Sequence, residues 1–135
     1  MERTLVLLKP DAVERGLVGR LIARFEDAGF EIVEMCMERL SREKAAAFYA
    51  EHAGKDFYDR LLDFVTRGPV VVMALQRDDA VERARQIIGA TDPLAAAPGS
   101  IRGDFGLNKT FNSIHGSATR EDAEREVEFF FPSVQ

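Results

Sequence analysis

Apolar and polar positions along this chain alternate between a strand period and a helix period. Thr4 to Leu8 is a short apolar strand, closed by Lys9-Pro10-Asp11, where proline ends pairing and turns the chain. Leu17, Leu21, Ile22 and Phe25 recur at helical spacing, and Gly29 supplies the C′ residue. Phe30 to Leu40 alternates loosely and predicts a second strand. Ser41 is a good N-cap, with Lys44 at N3, for a helix that carries Ala45, Phe48, Tyr49 and His52. Phe57, Leu61, Leu62, Phe64 and Val65 predict a further short helix, stopped by Gly68-Pro69. Val70 to Leu75 is apolar at every position, as a central strand covered on both faces must be. Asp78 or Asp79 caps a helix bearing Val81, Ala84, Ile87 and Ile88, ended by Gly89. Thr91 to Lys109 is rich in proline and glycine and predicts a long irregular loop, the kind that carries function. A last strand near Ser113-Ile114-His115 leads into a helix capped by Thr119, with Glu121 and Asp122 in its first turn.

Without its helical insertion, this order is β-α-β-β-α-β. That is the α+β (broadly α/β) ferredoxin-like plan, with a four-stranded antiparallel sheet and helices expected on one face. At 135 residues with no linker or repeat, residues 1–135 are expected to form one domain. The longest apolar run, Val70 to Leu75, is far too short to span a bilayer, and Met1-Glu2-Arg3-Thr4 has no basic leader, so a cytoplasmic protein is expected. A net charge of −5 weighs against nucleic acid as the main ligand, and any anion site must be a local basic patch. The single cysteine, Cys36, lies in an alternating stretch and is expected to be a buried structural thiol. An exposed sheet edge and the apolar Phe129-Phe130-Phe131 run predict a homo-oligomer.

The chemistry concentrates in Asn112-Ser113-Ile114-His115-Gly116-Ser117. This run holds one of only two histidines, between a strand and a helix start. A neutral imidazole is a competent nucleophile near pH 7, and the following glycine lets backbone approach a ligand. Glu126, on the inner face of the next helix, could hold that imidazole, and Ser117 offers a hydroxyl at the same helix mouth. Lys9 ends an apolar strand and Arg102 borders the long loop, which suggests an anionic ligand. Arg85 alone reads as a solvated helix position, Tyr49 and Phe57 as core, and His52 as a surface histidine. There is no P-loop, nucleophile elbow, H-E-x-x-H or EF-hand pattern, so a metal would arrive on the ligand.

Several stretches, in order, resemble the nucleoside diphosphate kinase family over essentially the whole chain. They are Lys9-Pro10-Asp11, Arg24-Phe25-Glu26, Phe48-Tyr49-Ala50-Glu51-His52, Gly68-Pro69-Val70-Val71, Gly89-Ala90-Thr91-Asp92-Pro93, Gly99-Ser100-Ile101-Arg102-Gly103-Asp104 and Asn112-x-x-His115-Gly116-Ser117. The resemblance implies a phosphotransferase in which His115 takes and passes on the γ-phosphoryl of a nucleoside triphosphate by a ping-pong route, with Mg²⁺ carried by the phosphates and broad base tolerance. It implies that Lys9, Arg85, Thr91 and Arg102 hold the phosphates and that Lys9 and Asn112 reach the sugar. Phe57 would stack on the base with Leu61 nearby, Tyr49 would stand beside the histidine, Glu126 would orient it, and Gly116 and Ser117 would complete the pocket. It also favours a hexamer over a tetramer. Asp56, where the family commonly has proline, and Ala118-Thr119, in place of an acidic-serine pair, depart from the pattern without touching a catalytic position.

Overall fold

The computed structural model describes residues 1–90, 94–105 and 113–132. In chain order they form β1 (Glu2–Leu8), α1 (Pro10–Glu14), α2 (Val18–Asp27), β2 (Glu31–Glu38) and α3 (Arg42–Phe48), then a 3₁₀ turn (Ala50–His52). They continue through α4 (Tyr58–Thr66), β3 (Val70–Arg77), α5 (Ala80–Ile88), α6 (Ile101–Phe105), β4 (Ile114–Gly116) and α7 (Arg120–Phe130). The four strands make one antiparallel sheet in the order β2-β3-β1-β4, with Leu7 opposite both Val72 and His115. This is the ferredoxin-like order expected.

One expectation is corrected. Helices cover both faces of the sheet, because both inner strands are apolar on both sides. Val6, Leu8, Val71, Met73 and Leu75 pack with Leu21, Phe25, Ala84 and Ile88 of α2 and α5. Leu5, Leu7, Val70 and Val72 pack with Phe48, Leu62, Val65 and Phe130 of α3, α4 and α7. Alternate residues of one strand thus feed two separate cores.

Local signals mostly carried through, with physical exceptions. Ser41 Oγ accepts from Lys44 N at 3.0 Å and Thr119 Oγ1 from Asp122 N at 3.0 Å, as N-caps do. Pro10 begins α1 at its first position instead of merely turning the chain. The helix after Ser41 stops at Phe48, and His52 lies in the 3₁₀ turn that follows. Neither Asp78 nor Asp79 caps α5 with its side chain. Asp79 is left-handed, and Glu2 Oε1 of β1 accepts from Val81 N at 3.1 Å instead. Within the predicted loop, Ile101–Phe105 is helical, anchored to α2 where Arg24 bridges Asp104 at 2.9 Å. Cys36 is half-buried, because β2 is an edge strand whose Met35 and Met37 are exposed.

Candidate functional site

β4 is only three residues long, and β1 holds it in register by pairing Leu7 with His115 and Val6 with Gly116. Gly116 leaves space there for packing. A Cβ on it would stand 2.5 Å from Ile88 Cδ1 of α5, so its missing side chain makes room for a core residue as well as for any ligand. Two turns beyond the Thr119 cap, α7 turns Glu126 inward, leaving its side chain 6% exposed. Its Oε1 lies 3.0 Å from His115 Nε2 and accepts from Ser117 Oγ at 2.8 Å. Ser117 Oγ in turn accepts from Leu5 N at 3.2 Å. A carboxylate only accepts hydrogen bonds, so a neutral His115 carries its proton on Nε2 and keeps the lone pair on Nδ1. Phe48 backs the imidazole edge-on at 5.2 Å, and Phe129 and Phe130 pack behind Phe48.

Cationic groups converge beside this histidine. Lys9 caps α1 at the end of β1, and its ammonium is buried. Burial first, and then the neighbouring Arg102, bring its pKa down to about 7, while Asp11 opposes the fall. Arg102 reaches from α6 to Gly89 O at 3.3 Å and Ile114 O at 2.7 Å. Its pKa is lowered to about 10 by burial and by Arg85 of α5. The Tyr49 ring stands 6.1 Å from His115, and burial, reinforced by Glu126, pushes its phenol well above the ordinary tyrosine range. Tyr49 is therefore a neutral hydrogen-bond donor. Among the described residues, neither its hydroxyl nor Arg102 Nε has a hydrogen-bond partner. Buried donors left open in this way fit a ligand rich in acceptor oxygens.

Arg85 is exposed and lines a cleft of about 720 Å³ with Glu2, Glu82, Gly89 and Ser100. Phe57, expected in the core from its spacing alone, is 37% exposed, which leaves a ring face for stacking. Leu61 is buried one turn on in α4. Thr91 and Asn112, expected at the phosphates and the sugar, lie outside the described residues.

His52, read as a surface side chain, is half-buried instead. Its ring lies 6.2 Å from Tyr49 and 5.3 Å from Phe57, because the 3₁₀ turn folds it back between them. The sequence gives Phe48 a place on its helix but none in the site, and gives Asp11 and Ser113 no role. The signal for Asp11 was its place beside Lys9 and Pro10, but nothing in the sequence tied it to Ser113. Among the described residues no cluster of three metal-ligating side chains lies together. No helix there is long and apolar enough to cross a membrane.

A family model described as nucleoside diphosphate kinase matches residues 2–135. The nucleoside diphosphate kinase of Methanococcus maripaludis is 55% identical over 131 residues, spanning 97% of this chain and 98% of that protein. The one from Methanocaldococcus jannaschii is 52% identical over 130 residues, 96% of this chain and 93% of that protein. The solved Aquifex aeolicus nucleoside diphosphate kinase superimposes with a TM-score of 0.94 at 44% identity, covering 96% of this chain and 94% of that one. The halophilic nucleoside diphosphate kinase of Halobacterium salinarum, solved in complex with CDP, gives 0.94 at 46% identity, covering 98% and 88%. With the family model, the relatives and the fold in agreement over nearly its full length, the chain belongs to the nucleoside diphosphate kinase family of enzymes.

Proposed function

We propose that the enzyme works through a phosphohistidine on His115. The lone pair of Nδ1 attacks the γ-phosphorus of a nucleoside triphosphate, the P–O bond to the β-phosphate breaks, and the diphosphate leaves with the bonding electrons. A second diphosphate enters the same pocket, its terminal oxygen takes the phosphoryl group, and Nδ1 regains its lone pair: a ping-pong cycle. The observation that carries this reading is the 3.0 Å contact between His115 Nε2 and the buried Glu126, which leaves Nδ1 as the free nitrogen. Lys9, Arg85 and Arg102, with Thr91, hold the phosphates, and the Tyr49 hydroxyl donates into the same space. Positioned positive charge on the equatorial oxygens is the main requirement of phosphoryl transfer. The nucleotide brings Mg²⁺, which when bound neutralises charge on its phosphate oxygens.

Phe57 with Leu61 offers the base a π-face and an aliphatic neighbour, neither of which reads a base edge, so the proposal includes broad base tolerance. Lys9 and Asn112 serve the sugar, while Gly116 and Ser117 complete the pocket. We further propose a cytoplasmic, single-domain enzyme with no membrane and no nucleic acid as main ligand. It assembles as a homo-oligomer, a hexamer in preference to a tetramer. The exposed Met35 and Met37 on edge strand β2 support self-association.

Exchange kinetics test the whole reading. Parallel double-reciprocal lines are expected with ATP as donor. Values of kcat/KM for ADP, GDP, CDP, UDP and dTDP are expected to lie within one to two orders of magnitude of each other, roughly what apolar contacts discriminate. Intersecting lines, or one base preferred about a thousandfold, would contradict it.

A further inference from the structure

Asp11 takes no part in the scheme above, yet it is 2% exposed. It stands in the first turn of α1, two residues after Lys9, and its Oδ2 accepts from Ser113 Oγ at 2.8 Å. Ser113 is fully buried and has φ +75°, a left-handed conformation that a serine adopts only at a cost. Its carbonyl accepts from Lys9 N at 2.9 Å. Two hydrogen bonds therefore tie the start of α1 to the residue just before β4, two places ahead of His115. The remaining oxygen, Asp11 Oδ1, is buried without a hydrogen-bond partner among the described residues. A buried carboxylate with one oxygen uncommitted is expensive unless its charge acts on a neighbouring cation. The cation it acts on is Lys9.

We infer that Asp11 is a positioning residue for phosphoryl transfer: through Ser113 it sets the entry of the His115 strand, and its buried charge, in the turn that Lys9 opens, acts on that end of the phosphate site. This rests on the reading of His115 as phosphoryl carrier and Lys9 as phosphate ligand. The two effects run through different atoms and separate cleanly. Asp11→Asn keeps an acceptor for Ser113 but deletes the charge. Ser113→Gly deletes the hydrogen bond while easing the backbone at φ +75°. Facing Lys9, Asp11 favours its cation and Arg102 of α6 opposes it, while His52 of the 3₁₀ turn feels the charge of Lys9 in its turn. Neutralising Asp11 removes an influence that favours the Lys9 cation, and Lys9 gives up its proton at a lower pH.

The test measures kcat and KM across about pH 6 to 9 for the full chain and its variants, with Tm as a check on folding. Asp11→Asn is expected to move the alkaline limb of kcat/KM down by about one unit, and Asp11→Glu, which keeps the charge, to restore it. Ser113→Gly is expected to lower kcat roughly tenfold with KM and the limb unchanged, as a small misplacement of a reacting group does. A limb unmoved in Asp11→Asn, or wild-type kcat in Ser113→Gly, would overturn the inference. A fold lost in Asp11→Asn leaves the Ser113→Gly arm to decide. If the unaltered chain forms no phosphohistidine, the reading of His115 fails. If it does, and the variants behave like it, only the positioning role fails.

Discussion

Around His115 the polar atoms are committed to one another, whereas at the neighbouring rim, where Lys9, Tyr49 and Arg102 meet, two are left open among the described residues. Glu126 Oε1 serves both His115 and Ser117, and Ser117 is pinned in turn to Leu5. At the rim, the Tyr49 hydroxyl and Arg102 Nε are buried without partners, and Lys9 sits beside a like charge that lowers its pKa to about 7. On the proposed mechanism the seat fixes the reacting atom before substrate arrives. The rim holds unsatisfied donors and crowded cations that an anion relieves. Breaking the seat should therefore lower kcat, and breaking the rim should weaken nucleotide binding and transition-state stabilisation together.

Short of removing His115 itself, the largest effect is expected at the rim cation that also braces the seat. Arg102→Ala removes the guanidinium that holds Gly89 O and Ile114 O, and steady-state kcat/KM should fall by about 10²- to 10³-fold. Arg102→Lys should recover little, because an ammonium cannot span both carbonyls. A loss under about threefold would remove Arg102 from the charge-stabilising set. Glu126→Gln comes next. It keeps the shape but not the charge that orients His115, and kcat should drop roughly 10- to 100-fold at nearly constant KM. A rise in KM alone would place Glu126 on the rim instead.

Phe57→Ala should do the reverse. On the proposed role its exposed ring contributes stacking only, so KM should rise by about tenfold for every diphosphate with kcat preserved. A loss confined to one base would reveal an edge-reading group. The smallest effect is a proton. Lys9, ordinarily near 10.5, stands at about 7 in the free protein, so it is largely neutral above that value. Phosphates favour its cation, so binding takes up a proton and affinity declines as pH rises above about 7. The sign for folding is opposite: the unfolded chain keeps this proton up to about 10.5, so the nucleotide-free protein gains stability from Lys9 between about 7 and 10.5. Titration calorimetry with ADP at about pH 8 in two buffers of different ionisation enthalpy reads the uptake directly, and equal apparent enthalpies would exclude it.

The same contrast governs what was legible in the sequence. Residues whose work is local could be read: Ser41 and Thr119 as caps, Val70 to Leu75 as an inner strand, and His115 with Glu126 as neighbours across one strand-to-helix turn. Residues whose work depends on distant partners could not. Asp11 and Ser113 lie 102 positions apart, and no period or spacing joins them. His52 looked like a surface side chain because the helix seemed to run through it, whereas the chain leaves the helix at Tyr49 and folds the ring inward. The cap of α5 was assigned to the nearest aspartates, yet Glu2 supplies it from β1, a contact only the sheet makes possible. Helices were placed on one face because the plan allows it, although the apolar positions on both sides of β1 and β3 demanded two.

The central claim is tested most directly by the fate of labelled γ-phosphate. Incubated with labelled ATP and no acceptor, the protein should take up label that survives base and is lost in acid, and the modified peptide should carry it on His115. His115→Ala should abolish both this label and exchange, while His52→Ala leaves both near normal. Label persisting in His115→Ala, or mapping to His52, would contradict the account.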